Sequence, residues 1–77
     1  MDNNLRSIVV IKDYATNMWK VFGHYKEEVG TTTKELYADK SQSKCDDFAD
    51  NLALENHMYY DRTQCAYYKH SKYYQGY

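Results

Sequence analysis

Several features that commonly mark a function are missing from this sequence. Its three glycines stand singly and far apart, so they cannot form a glycine-rich phosphate-binding loop. Proline is absent, and two cysteines, Cys45 and Cys65, are too few for a disulfide scaffold. The cysteines and histidines also lack the paired spacing of a zinc site, and none stands in a recognisable catalytic context. We therefore expect no catalytic residue, no metal and no cofactor.

Long apolar segments are missing as well. The longest aliphatic run, Ile8–Ile11, has four residues, whereas a membrane-spanning helix needs about 20. The opening Asp2-Asn3-Asn4 is also unlike the start of a signal peptide. We expect a cytoplasmic protein with no membrane partner, in which both cysteine thiols are reduced and buried. A single disulfide between them is the alternative.

Aliphatic core residues are scarce, and tyrosines are abundant. The 77 residues allow one small domain, spanning 1–77, close to the lower limit for a self-sufficient core. It contains only four leucines, four valines, two isoleucines and two phenylalanines, but ten tyrosines, seven of them between Tyr59 and Tyr77. A tyrosine has a large apolar ring and a polar hydroxyl, so such a cluster suits either a core or a binding surface.

The charges nearly cancel but are unevenly distributed. The formal net charge is −1, so no overall field draws the chain to nucleic acid or to a membrane. Residues 39–55 carry five acids against two bases, whereas residues 56–77 carry three bases against one acid. The middle of the chain is therefore acidic and its C-terminal part mildly basic.

The first half of the chain is typical of an antiparallel sheet. Ser7–Lys12 is rich in β-branched residues and Met18–Lys26 alternates imperfectly, which predicts two strands. The five residues between them suit a hairpin loop. A third, weaker strand is predicted over 31–37, so that residues 1–38 are mainly β, with Trp19 in the core.

The second half is typical of helix, and residues 43–74 are predicted to be mainly α. Ser43 is predicted to cap a helix over residues 43–56. The residues that follow it at the spacing of one buried helical face are Cys45, Phe48, Ala49 and Leu52. The fold class is therefore α+β, with an N-terminal antiparallel hairpin or three-stranded sheet packed by one or two C-terminal helices.

The tyrosine-rich segment is the ambiguous part of this fold. Apolar or aromatic pairs recur there every seven residues, at Leu52/Ala53, Tyr59/Tyr60, Ala66/Tyr67 and Tyr73/Tyr74. Such a period matches one face of a helix, which favours a second helix over about residues 60–74. The alternative is a strand or hairpin over residues 58–68, because tyrosine is a good β former.

Two groups of residues are candidates for contact with a partner. Tyrosine rings can fill pockets on another protein while nearby bases meet its carboxylates. The predicted contact residues of this kind are Tyr60, Tyr67, Tyr74, Lys69, Lys72 and Arg62. The second candidate is the acidic start of the first helix, at Asp46, Asp47 and Asp50. The competing interpretation is that the tyrosines pack in the core and the charged side chains are solvated.

The chain resembles, in size and style, the small proteins that bacteriophages use against host machinery, including anti-CRISPR and other anti-defence inhibitors. The resemblance lies in the strands Ser7–Lys12 and Met18–Lys26, the acidic helix start Ser43-Lys44-Cys45-Asp46-Asp47-Phe48 and the aromatic C-terminal part. It implies a protein that binds one host protein and blocks its active surface, by steric cover or by imitating nucleic acid. The near-neutral charge differs from that of the strongly acidic nucleic-acid mimics.

The leading hypothesis is a non-enzymatic protein-binding inhibitor or adaptor that acts by occlusion through its tyrosine-rich C-terminal surface. Its partner would be a host protein or protein complex, such as a defence nuclease complex. One alternative is a small nucleic-acid-binding module that stacks bases on the tyrosines. Another is a structural homodimer in which the tyrosines of two copies meet.

Overall fold

A five-stranded antiparallel sheet and one helix make up the part of the chain that the computed structural model describes, residues 4–69. In chain order the elements are β1 (Leu5–Asp13), β2 (Met18–Lys26), β3 (Thr31–Asp39), α1 (Gln42–Glu55), β4 (Met58–Asp61) and β5 (Ala66–Lys69). The strand order is β3-β2-β1-β5-β4. The predicted α+β class is therefore confirmed, but the N-terminal hairpin or three-stranded sheet of the prediction is here part of a larger sheet. Two further strands follow the helix and join the same sheet.

Local turn chemistry closes the two N-terminal hairpins. In the β1–β2 turn the Asn17 backbone N–H donates to the Asp13 carbonyl at 2.7 Å, and the Asp13 carboxylate accepts from the Ala15 N–H at 3.0 Å. Asn17 has a φ of 62°, a left-handed conformation that asparagine tolerates. In the β2–β3 turn Gly30 has a φ of 82°, and its carbonyl accepts from the Glu27 N–H at 3.0 Å.

A β-bulge near the start of β1 changes which side chains face the helix. Leu5 pairs with Tyr25, but the next pair along is Ser7 with His24, which leaves Arg6 as the extra residue. Without this extra residue, strict alternation would put Leu5 and Ile8 on opposite faces. With the bulge, both are fully buried in the core between the sheet and α1. Ser7 lies on the other face.

The core lies between α1 and one face of the sheet. The helix buries three small residues spaced four apart, Cys45, Ala49 and Ala53, which lets it approach the strands closely. The sheet contributes Leu5, Ile8, Val21, Tyr25 and Met58. Partly buried side chains, among them Trp19, Phe48 and Leu52, pack around this centre. Burial raises the pKa of the Cys45 thiol, whose Sγ donates to the Trp19 carbonyl at 3.4 Å.

Gly23 lies where the packing leaves little room for a side chain. It lies opposite Ile8 in the β1–β2 pairing, on the face that α1 covers. A Cβ at this position would lie 2.9 Å from Leu36 Cδ1 and 3.1 Å from Leu5 Cδ1, closer than carbon atoms pack. The missing side chain therefore leaves the space that the larger neighbouring side chains fill.

The second predicted helix, over residues 60–74, is wrong where the structure describes it. The chain forms the β4–β5 hairpin there, in which Tyr59 pairs with Tyr68 and Tyr60 with Tyr67. The doublets Tyr59/Tyr60 and Tyr67/Tyr68 lie symmetrically about the turn, so a hairpin pairs them with each other. Their spacing of about two helical turns is also compatible with one face of a helix. The alternative hairpin prediction over residues 58–68 is the one that the structure bears out.

Backbone conformation at the two ends of β4 enforces this outcome. Helix α1 stops at the Asn56 cap, and His57 adopts a left-handed φ of 56°. After β4 the Asp61 carboxylate accepts from the Thr63 N–H at 2.9 Å, which turns the chain back. Cys65 enters β5 with a φ of 55°. Residues 70–74 of the predicted helix lie outside the described residues.

The cysteine prediction is half right. Both thiols are free, as expected of reduced cysteines, and Cys45 is buried. Cys65 is exposed, against the prediction, because it lies in the β4–β5 turn and not on a helical face. Its Sγ donates to the Arg62 carbonyl at 3.7 Å within the same turn.

Helix α1 begins one residue earlier than predicted, and its N-cap is Ser41 instead of Ser43. Ser41 has the extended conformation of a cap, with φ −92° and ψ 119°, and its Oγ accepts from the Lys44 N–H at 3.3 Å. The Asp39 carboxylate in turn accepts from the Ser41 N–H at 2.8 Å. This second bond fixes the cap at the end of β3, which explains why Ser41 is used.

The two serines therefore provide a matched pair of variants. Replacement Ser41→Ala removes the cap and is expected to lower the free energy of unfolding by about 1 kcal/mol. Replacement Ser43→Ala removes an exposed hydroxyl inside the first turn of the helix. It is expected to leave the free energy of unfolding unchanged or slightly higher, because alanine favours helix. Chemical denaturation followed by circular dichroism measures both. A larger loss for Ser43→Ala than for Ser41→Ala contradicts the observed cap.

Candidate functional site

A groove between α1 and the β4–β5 hairpin is the candidate binding site. Its volume is about 520 Å³, within the range of sites that hold a small molecule or a large side chain. The residues that line it are Val10, Gln42, Asp46, Asp50, Tyr60, Cys65 and Tyr67. The helix supplies amide and carboxylate groups, while the hairpin supplies aromatic rings and a thiol. The groove thus has one acidic wall and one aromatic wall.

The acidic wall follows from the helical repeat. Gln42, Asp46 and Asp50 are spaced four residues apart, so they lie above one another on one flank of α1. Asp46 follows the buried Cys45 and is itself half-buried at the edge of the core. Partial burial, together with the negative charges of Asp50 and Asp47, raises the pKa of Asp46. The wall is therefore negatively charged and incompletely solvated.

The aromatic wall follows from strand pairing. Tyr60 and Tyr67 are direct partners across the β4–β5 hairpin, and their ring centroids lie 5.1 Å apart with planes tilted by 59°. The Tyr67 hydroxyl donates a hydrogen bond to the Asp50 carboxylate, which joins the two walls. Burial is the main reason that the pKa of Tyr67 lies well above its usual value, and the hydrogen bond to Asp50 is the second. The Tyr67 hydroxyl therefore stays protonated. Tyr60 remains 52% exposed.

The register of the sheet decides which tyrosines face the groove. Tyr67 lies beside Ile8 of β1, on the face that α1 covers, while Tyr68 lies beside Ser7 on the opposite face. The partner of Tyr68 in β4 is Tyr59, which shares that opposite face. Each tyrosine doublet is therefore split, with one ring toward the helix and one away from it.

The groove unites residues from both predicted contact groups. Tyr60 and Tyr67 were predicted as partner contacts, and Asp46 and Asp50 as a separate acidic face; the structure brings all four together. The two groups are at least ten residues apart in the sequence, from Asp50 to Tyr60, so their meeting depends on the fold. The predicted helical flank of tyrosines is replaced by a hairpin wall.

The other predicted residues lie elsewhere or outside the described part of the chain. Asp47 is exposed on α1 and does not line the groove. Arg62 is exposed in the β4–β5 turn. Lys69 ends β5, and only its backbone is described. Lys72 and Tyr74 lie outside the described residues.

Three groove residues were not identified from the sequence. Gln42 stands four residues before Asp46, so the helical spacing could have indicated it once the helix start was correctly placed. Val10 and Cys65 had no such signal. They reach the groove only because β1 lies beside β5 and because the hairpin turns at Cys65.

The groove can complement a cation, since it offers carboxylates, a neutral phenol and an aromatic face.

Among residues 4–69, no group of three or more histidine, cysteine, aspartate or glutamate side chains is placed to hold a metal ion. Within the same part of the chain, no helix has the length and apolar character needed to cross a membrane. No protein-family model, no curated protein and no solved structure matches this chain.

Proposed function

We propose that this chain is a non-enzymatic protein-binding module that receives a basic side chain of its partner in the groove between α1 and the β4–β5 hairpin. The observation that carries the proposal is the convergence of Asp46 and Asp50 with Tyr60 and Tyr67. An arginine guanidinium stacks on a tyrosine ring and pairs with carboxylates through its planar fork of donors. A lysine ammonium would make the same ion pairs with less directional specificity.

The carboxylates of the groove make no ion pair with any residue in the described part of the chain. Both ion pairs found among the described residues are made by Lys20, with Asp13 at 3.0 Å and with Glu35 at 3.4 Å. Asp46 and Asp50 therefore face each other's charge without a basic partner in this part of the chain. A positive group entering the groove would remove that repulsion, which favours a basic partner over a neutral one.

The negative charge of the groove also favours a protein over a nucleic acid as its ligand. Phosphate groups would be repelled by Asp46 and Asp50, so the acidic wall favours a protein partner at this surface. Proteins that hold nucleic acid present basic surfaces. An inhibitor with this groove would act by covering such a surface, which is the steric occlusion expected of an anti-defence protein.

A short arginine peptide and its citrulline counterpart test the groove directly. Arginine is expected to bind and citrulline to bind weakly or not at all, because only arginine carries charge. Replacement Asp46→Asn is expected to weaken arginine binding about tenfold, as for loss of a charged hydrogen bond. Asp47→Asn is the matched control, because Asp47 is exposed outside the groove; we expect less than about a twofold change. Amide shifts in a two-dimensional nuclear magnetic resonance titration give the affinities.

Cys65 provides an independent readout of occupancy. It is exposed and lines the groove, whereas Cys45 is buried, so iodoacetamide is expected to alkylate Cys65 alone in the folded chain. Bound arginine peptide should slow this reaction. Equal affinity for arginine and citrulline, or equal losses for Asp46→Asn and Asp47→Asn, would contradict the proposal. Concentration-dependent light scattering would instead identify a second copy of the chain as the occupant.

The raised pKa of Asp46 predicts that its negative charge, which the proposed binding needs, lowers the stability of the fold. Since the folded chain holds a proton on Asp46 more tightly than the unfolded chain does, stability is expected to fall as pH rises from the usual value of 3.8 through the raised pKa. Asp46→Asn should therefore raise the melting temperature at about pH 7, and the difference from the native chain should shrink at about pH 3. Thermal melts across this range measure it.

Glu28→Gln is the control for that series, because Glu28 is exposed in the β2–β3 turn. It changes the net charge by the same amount as Asp46→Asn without touching the groove. A lower melting temperature for Asp46→Asn at neutral pH, or the same pH profile for both variants, would show that Asp46 is not under repulsion in the folded chain.

A further inference from the structure

The structure assigns a second ligand site, for a phosphate group, to the face of the sheet that α1 does not cover. A cavity of about 430 Å³ opens there. The described residues that line it are Arg6, Ser7, His24, Lys26, Thr31 and Tyr68; three of these six are basic and none is acidic. Ser7 pairs with His24 on one side and with Tyr68 on the other, which places all three on the same face. This inference does not depend on the function proposed for the groove.

The β-bulge in β1 builds this site. A regular strand would place Arg6 and Ser7 on opposite faces of the sheet. The extra residue breaks the alternation, and both Arg6 and Ser7 line the same cavity. Bulges commonly redirect a side chain in this way beside functional sites. The bulge thus serves two purposes, since it also buries Leu5 in the core.

The basic side chains of the cavity have no counterion among residues 4–69. Both ion pairs among the described residues involve Lys20, so Arg6 and Lys26 have no carboxylate within salt-bridge distance there. His24 is held in place because its Nδ1 lies 2.9 Å from the Thr33 hydroxyl, which leaves Nε2 for a ligand. An oxyanion would accept from all three side chains at once.

The burial of the Ser7 hydroxyl is a second, independent observation in favour of a ligand in this cavity. Ser7 is only 7% exposed, and within the described part of the chain its hydroxyl makes no hydrogen bond. A buried hydroxyl without a partner destabilises the fold, so its presence in a cavity wall needs a reason. An oxyanion seated among Arg6, His24 and Lys26 would supply the missing acceptor.

The donor set favours a phosphate over a carboxylate. It combines a guanidinium, an ammonium, an imidazole and hydroxyl groups that approach from several directions, which suits a tetrahedral group with three free oxygens. The cavity of about 430 Å³ is larger than inorganic phosphate needs. We therefore identify the ligand as the phosphate monoester of a small molecule, with inorganic phosphate as the smallest probe.

The test is a nuclear magnetic resonance titration of the full chain with inorganic phosphate and with phenyl phosphate, at ionic strength held constant with sodium chloride. Saturable shifts are expected at the amides around Arg6, Ser7 and His24, with the groove of α1 unaffected. Tighter binding of phenyl phosphate indicates an ester ligand, and equal binding indicates the free anion. Binding of phenol alone, or shifts that chloride reproduces, would overturn the assignment.

Variants separate the site from general charge effects. Arg6→Gln and Lys26→Gln are each expected to weaken phosphate binding about tenfold, and Lys40→Gln, which removes an exposed lysine outside the cavity, should leave it unchanged. Ser7→Ala should also weaken binding but keep or raise the melting temperature, since it removes a buried hydroxyl that has no partner among residues 4–69. Unchanged binding in all three cavity variants, or losses equal to that of Lys40→Gln, would overturn the assignment.

Discussion

Strand β5 joins the sheet through three residue pairs with β1, opposite Ser7, Ile8 and Val9. This contact links the two ends of the described chain, so forming it costs more loop-closure entropy than any hairpin in the fold. It holds the β4–β5 hairpin beside α1 and brings the Tyr67 hydroxyl to Asp50. It also places Tyr68 beside Ser7 as a wall of the second cavity. Both sites therefore exist only while β5 is paired with β1.

The two faces of the sheet separate charges that cancel in the composition. The face toward α1 carries the groove with Asp46 and Asp50, and the opposite face carries Arg6 and Lys26. A net charge of −1 gives no hint of this arrangement. The tyrosines are divided in the same way between packing and binding. Among the described tyrosines, exposure ranges from 7% at Tyr25 in the core to 84% at Tyr14, and Tyr60 in the groove is 52% exposed.

The sequence predicted the parts of the fold that local patterns determine. β2 has the predicted bounds, Met18–Lys26, and α1 was placed within two residues because its buried positions repeat along one helical face. The β4–β5 hairpin was predicted only as the alternative, because apolar or aromatic pairs seven residues apart, such as Tyr59/Tyr60 and Ala66/Tyr67, also match one face of a helix. The pairing with β1 and the left-handed His57 decide between them, and neither is visible in a local window.

The sequence predicted which kinds of residue form the groove, but not that the fold brings them together. Tyrosines and aspartates were identified as contact residues from their abundance, yet their meeting in one groove needed the register of β5 against β1. The phosphate site needed still more, since Arg6 enters it through a bulge that leaves no mark in the sequence pattern. Side chains that depend on register or on a bulge lie beyond periodicity arguments.

The most direct measurement is a set of nuclear Overhauser contacts between β1 and the tyrosine-rich segment. We predict cross-strand contacts of Ser7 with Tyr68 and of Val9 with Ala66, together with contacts between the Tyr60 and Tyr67 rings. Helical contacts three residues apart over residues 60–69, with none to β1, would contradict this prediction. In that case neither the groove nor the phosphate site could form as described.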